Sequence, residues 1–149
     1  MNTFAEQLAA FAEKAKTRAD EIVGRVVASI AAELDQRSPV GDASYWKHKP
    51  PPGYVGGRFR GNWQLGVDVV PSGETGRIDP GGAETLSVII GAVPPQAAGH
   101  IYYLFNGVPY AQALEDGHSR QAPNGMVGLT VLGFNRAVEE AAAQARGGA

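Results

Sequence analysis

Apolar residues near the start of the chain fall on one helical stripe. Phe4, Leu8, Phe11, Ala15, Ile22, Val26, Ile30 and Leu34 recur at helical spacing, with charged residues on the other faces. Thr3 and Glu6 form the T-x-x-E pattern in which each side chain satisfies a free backbone donor of a helix start. Together they predict one helix over residues 3–36. From Ile22 onward the stripe widens to include Val23, Val27 and Ala31, which predicts burial, whereas the first half carries a narrow seam among seven charges between Glu6 and Glu21. At ~1.5 Å per residue such a helix is a rod of roughly 50 Å. A compact chain of this size has a radius of gyration near ~15 Å, or a sphere roughly 40 Å across. Either the helix breaks, near Thr17 or Gly24, or its first half leaves the body and buries Phe4, Leu8 and Phe11 against another chain. The second outcome is the one expected.

Ser38-Pro39 ends this pattern, because proline disfavours helical geometry in the residue before it. Beyond a proline- and glycine-rich stretch, residues 59–70 alternate apolar and polar positions, with Trp63, Leu65, Val67 and Val69 on one face. Residues 85–93 and 101–105 read as further strands, and the glycine-rich 72–84 between the first two reads as a long hairpin loop. Residues 110–117 suit two helical turns. A last helix is expected over 124–145, weakened by Gly128 and Gly133, with Arg146 and the residues after it capping and fraying. The predicted class is α+β: an antiparallel sheet of three to four strands packed by a long N-terminal helix and a C-terminal helix.

Composition adds bounds. A chain of 149 residues is the size of one domain, here divided into the helix at 3–36, an extended arm at 38–58 and the sheet with its C-terminal helix at 59–146. Hydrophobic residues at 44% against 19% charged exclude a disordered chain. No apolar run approaches the roughly 20 residues that span a bilayer, and the N-terminus lacks a signal-peptide layout, so a cytoplasmic protein is expected. Twenty glycines, nearly twice the usual ~7%, fall almost wholly after residue 40, so the opening rod is built differently from the rest.

Charge is uneven. Arg37, Lys47, Lys49, Arg58 and Arg60 against Asp42 give residues 37–60 a charge of +4, leaving −6 for the rest of a chain whose net charge is −2. A global DNA-coating protein is thereby disfavoured. Tyr45, Trp46 and Tyr54 lie among these basic residues and beside the triple proline 50–52. Such an arm can grip nucleic acid through lysines and stacked aromatics. It can equally be a stiff strap laid across the acidic body of a neighbouring copy, the preferred reading, with the three aromatic residues as anchors.

Candidate chemistry is sparse. The absence of cysteine removes disulfides, thiolate metal sites and cysteine nucleophiles. His48, His100 and His118 form no i, i+4 pair, and Glu115-Asp116-Gly117-His118 is a weak cue. The serines lack a nucleophile elbow, and the glycines fit neither a dinucleotide nor a phosphate-binding loop. Asp35, Asp42, Asp68 and Asp79 are scattered along the chain. No enzyme, cofactor or metal is expected.

The pieces in order do resemble a known group. A long helix ending in Ser38-Pro39-Val40, then Arg60-x-Asn62-Trp63, then Asn106-x-x-Pro109-Tyr110-Ala-x-x-Leu114-Glu115-x-Gly117, and finally Ser119-x-Gln121-Ala-Pro123-x-Gly125-Met-Val127 resemble the neck or tail-completion proteins of tailed bacteriophages, the minor tail-component family. The likeness spans nearly the whole chain and is most specific over 109–127. It implies a non-catalytic virion subunit that forms a homo-oligomeric ring at the head–tail junction, six copies being preferred over twelve. Its implied partners are further copies, the head connector or stopper, and the tail terminator or tail tube, with DNA passing through without specific binding. Assembly would occur in the host cytoplasm. Where relatives carry S-P-V-D-T-G-x-L-R, this chain has Gly41-Asp42 and some fifteen extra residues, so contacts of the arm do not transfer. Two alternatives stay open: a tail terminator ring, and a small nucleic-acid-binding module using residues 45–60. Within the matched motif Pro39, Trp63, Pro109, Tyr110, Leu114, Gly117, Pro123 and Gly125 are expected to maintain the fold. Trp63, Tyr110 and Leu114 are expected in the core, and Pro109 and Pro123 in the first turns of helices. Glu115 is expected to meet an arginine of its own or a neighbouring chain.

Overall fold

The computed structural model describes residues 1–147, so Gly148 and Ala149 of the expected fraying tail lie outside the described residues. Helix α1, Phe4–Arg37, is continuous for 34 residues. Its start is fixed as expected: the Glu6 N–H donates to Thr3 Oγ1 at 3.2 Å and the Thr3 N–H to the Glu6 carboxylate at 2.6 Å. Neither Thr17 nor Gly24 breaks it. Its second half buries Val27, Ala31 and Leu34, while every residue from 1 to 17 is exposed. The end is clamped at Ser38, whose hydroxyl donates to the Leu34 carbonyl at 2.6 Å and accepts from Trp63 Nε1 at 2.8 Å, both groups being buried.

After the arm, which holds a short 3₁₀ turn at Ala43–Tyr45, come α2, Arg58–Gly61, and strand β1, Trp63–Val67. Helix α3, Ala83–Gly91, precedes strand β2, Tyr102–Asn106. Three helices follow: α4, Ala111–Glu115; α5, Val127–Leu132; and α6, Phe134–Gly147. β1 and β2 pair antiparallel, Trp63 opposite Asn106 and Val67 opposite Tyr102, and form a two-stranded sheet. Ala31 and Leu34 of α1 meet Phe59, Trp63, Ile89, Val108, Ala122 and Met126 in the core. α6 lies along α1 through Ala137, Ala141 and Ala145, three small side chains at four-residue steps that let the backbones approach, and Arg25 donates to Gln144 across the pair at 2.9 Å.

The class is therefore mixed helix and strand as expected, but among the described residues the sheet has two strands, not three or four. Residues 85–93 fall largely in α3. Their β-branched content suggested a strand; what decides the matter is Asp79, whose carboxylate accepts the Gly82 N–H at 2.9 Å and the Thr85 N–H and hydroxyl, each at 2.8 Å. These bonds satisfy helix-start donors, and the helix then turns Thr85 and Ile89 inward and leaves Val88 and Ile90 half exposed. The 72–84 segment accordingly leads into a helix and is no hairpin. β1 is shorter than the alternation implied, because Asp68 takes a left-handed backbone (φ 63°) and directs Val69 and Val70 to solvent. The last helix is two: α5 starts at Val127, three residues later than expected, and Gly133 separates it from α6.

Candidate functional site

Two surface features stand apart from the core. The first is the free half of α1. Phe4, Leu8 and Phe11, at i, i+4 and i+7 on one face, are 79%, 55% and 70% exposed. Body contacts begin only further along the rod, where the Ala98 N–H donates to Asp20 at 2.9 Å.

The second is a cleft of about 850 Å³ between the arm, the start of α4 and residues 118–121. Here the expectation of an extended strap is corrected. Gln121 bonds both backbone groups of Val40, accepting its N–H at 3.0 Å and donating to its carbonyl at 2.8 Å. Asp42 caps the following turn by accepting the Ser44 N–H at 2.8 Å. The triple proline then reverses the chain, the Tyr54 N–H donating to the Pro51 carbonyl at 3.1 Å with Gly53 in the left-handed region. The arm thus doubles back, and Trp46 and Tyr54 meet with ring centroids 4.6 Å apart. The cleft is lined by Tyr45, Trp46 and Tyr54 of the arm, by Arg58 and Phe59, and by Tyr110, Leu114, His118, Arg120 and Gln121.

The expected basic residues divide. Arg58 makes a forked contact with Glu74, at 2.7 and 2.9 Å from one nitrogen, and its guanidinium lies 5.6 Å from the Tyr110 ring centre. Arg60 turns inward, donating to the carbonyls of Pro80 (2.7 Å) and Ser38 (3.0 Å) beside buried Asp35. Burial pushes the Asp35 carboxyl above the usual range; the Arg60 charge opposes this and Asp79 adds to it. Lys47 and Lys49 stay on the exposed outside of the arm.

Within its own chain Glu115 meets no arginine among the described residues; its carboxylate accepts the N–H groups of Met126 (2.8 Å), Val127 (2.9 Å) and Gly128 (3.1 Å) and so caps α5. Burial alone would raise its pKa, but the donors from Val127, Gly128 and Met126 hold it below the ordinary value. Gly125 and Gly117 both have left-handed backbones and press against the carbonyls of Glu115 and Pro123, where a side chain would collide. Buried Ala122 and Met126 tie this stretch into the common core. Tyr110 sits on the cleft wall at 38% exposure and not in the core, while Trp63 is buried and Leu114 packs against the core. Pro109 precedes the N-cap of α4, Tyr110, and Pro123 lies in the turn that closes with the Gly125 N–H on Ala122, so neither is in a first helical turn. Pro39 is buried against the end of α1.

Sequence reasoning missed Asp79, Gln121 and an apolar edge at Val131, Leu132 and Phe134, which are 65%, 83% and 48% exposed. Asp79 was readable from the D-P-G-G-A-E run with its acidic first turn; Gln121 carries no local signal. His100 pairs with Asp68 at 2.7 Å on the surface, away from the cleft. Among the described residues no group of three or more His, Asp or Glu is arranged to hold a metal, and no helix is long and apolar enough to cross a membrane. No family model, curated protein or solved structure matches the chain.

Proposed function

We propose that this chain is a structural, non-catalytic virion subunit of a tailed phage, forming a ring at the head–tail junction that joins the head connector or stopper to the tail tube. The observation that carries the reading is α1, an unbroken rod whose first half exposes Phe4, Leu8 and Phe11 with no partner among the described residues. Isolated large apolar residues are ordinary on a surface; three in one stripe on a projecting helix mark a contact surface. A subunit of a head-to-tail ring needs two different contact surfaces, and the cleft supplies a second. The order of motifs along the chain supports the family likeness, and within 109–127 the matched residues meet one another, Glu115 with Gly125 and Gly117 with Pro123.

Mass spectrometry and electron microscopy of purified virions test the reading; a particle lacking the chain overturns it. The nearest variant is a tail terminator ring, and a virion map showing whether the ring caps the tube separates the two. The nucleic-acid module has less support, since Arg58 and Arg60, two of the four cations it would use, are engaged by Glu74, Pro80 and Ser38. It requires salt-dependent DNA binding that weakens when Lys47 and Lys49 become alanine.

A further inference from the structure

The seam on α1 and the aromatic cleft lie at opposite ends of the molecule. Leu8 stands 29 positions before Arg37, at the cleft end of α1, which at ~1.5 Å per residue is roughly 40 Å. A chain's own seam therefore cannot reach its own cleft.

The two surfaces match in form. Phe4, Leu8 and Phe11 make a convex stripe about 10 Å long on a helix with nothing beside it. The cleft is concave, its volume of about 850 Å³ is in the range that takes large apolar groups, and Tyr45, Trp46, Tyr54 and Tyr110 line it. They also match in charge. Over residues 1–13 the only charged side chains are Glu6 and Glu13. In the cleft Arg58 is held by Glu74, which leaves Arg120, with Lys47 and Lys49 on the adjoining loop, to meet these carboxylates; the cleft's one lining carboxylate, Asp42, is turned to its own Ser44 N–H. The exposed edge at Val131, Leu132 and Phe134 is a poorer receptor, because its neighbouring Arg136 is paired with Glu140 at 3.3 Å, whereas the cleft keeps Arg120, Lys47 and Lys49 outside any ion pair among the described residues.

We propose that Phe4, Leu8 and Phe11 of one copy seat in the Tyr45–Trp46–Tyr54–Tyr110 cleft of a second copy. The inference rests on the reading of this chain as a self-assembling subunit and adds the contact through which it assembles. Each copy inserts one seam and receives one, so the association is heterologous and runs on until it closes.

The chain contains no cysteine, so introduced thiols report single contacts. Full-length Leu8→Cys chain is mixed with full-length Tyr45→Cys chain and mildly oxidised; both positions are exposed, and circular dichroism verifies the fold of each. The expected result is a mixed disulfide dimer at least tenfold above that formed by Leu8→Cys with Leu132→Cys. Adding Trp46→Ala to the receiving chain, or Phe11→Glu to the inserting one, should suppress it at least tenfold. No Leu8–Tyr45 product, or a product no stronger than with Leu132→Cys, overturns the contact. A chain found as a ring in virions without this cross-link leaves the functional reading standing and removes the contact; a chain that cross-links but is absent from virions does the reverse.

Discussion

Glu115 and Asp35 are both partly or wholly withdrawn from water, yet their ionisation acts on folding with opposite sign. Glu115 is held below its ordinary value of 4.5 by three backbone donors, so its contribution is present above that value and lost as pH falls through its lower folded one. Glu115→Ala should cost about 1–2 kcal/mol at pH 7, and the gap to the parent chain should close in acid, as read from urea unfolding at the two pH values. Asp35 is pushed above its ordinary 3.8 by burial; its ionised form burdens the fold above the folded pKa and the burden is gone below the ordinary value. Arg60 offsets that burden, although Asp35 Oδ1 and Arg60 Nε face each other at 3.9 Å with no hydrogen bond at either atom. Removing one member of a buried pair strands the other, so Arg60→Met should cost about 3 kcal/mol at pH 7. This deficit should shrink on acidification as Asp35 protonates, leaving the part due to the lost bonds to Pro80 and Ser38.

At the level of elements, the two halves of α1 should respond differently to substitution. Phe4→Asp with Phe11→Asp removes nothing buried and should change unfolding by no more than about 0.5 kcal/mol. Ala141→Leu, in the close alanine contact of α6 with α1, overpacks and should cost about 1–3 kcal/mol by the same measurement. This helix was legible because its signals were local and agreed: a capping box, a stripe with one period, and Ser-Pro at its end. The 85–93 segment was misread because its β-branched residues speak for a strand while the bonds that make it a helix come from Asp79, outside the run. The path of the arm could not be read either. Its direction depends on Gln121, 81 positions along the chain from Val40, and no local pattern encodes such a partner. For the same reason the residues of the cleft are named in the sequence separately, Tyr45, Trp46, Tyr54 and Arg58 in the arm and Tyr110, Leu114, His118 and Gln121 beyond the sheet, and only the fold brings them together with Arg120.

The whole molecule is a small body with a rod protruding from it. A compact chain of this length has a radius of gyration of roughly 15 Å; dilute monomer should exceed that in small-angle scattering, and deletion of residues 1–15 should bring it back with little loss of stability. The same deletion should abolish self-association, measured by sedimentation. The uneven charge seen along the chain is also partly resolved in space, with Glu74 and Asp35 meeting Arg58 and Arg60 and Lys47 and Lys49 remaining outside. Finally, α1 is held along its second half, by α6 through Ala137, Ala141 and Ala145, by the Arg25–Gln144 bond and by Asp20 at the Ala98 N–H, with Ser38 tying its last turn to Trp63, so the free half is a lever with its fulcrum near Asp20. Over the stretch from Phe4 to Asp20, roughly 24 Å, a rotation of about 5° carries the tip ~2 Å. Small adjustments of packing around Asp20 and Ala98 are thereby magnified at Phe4.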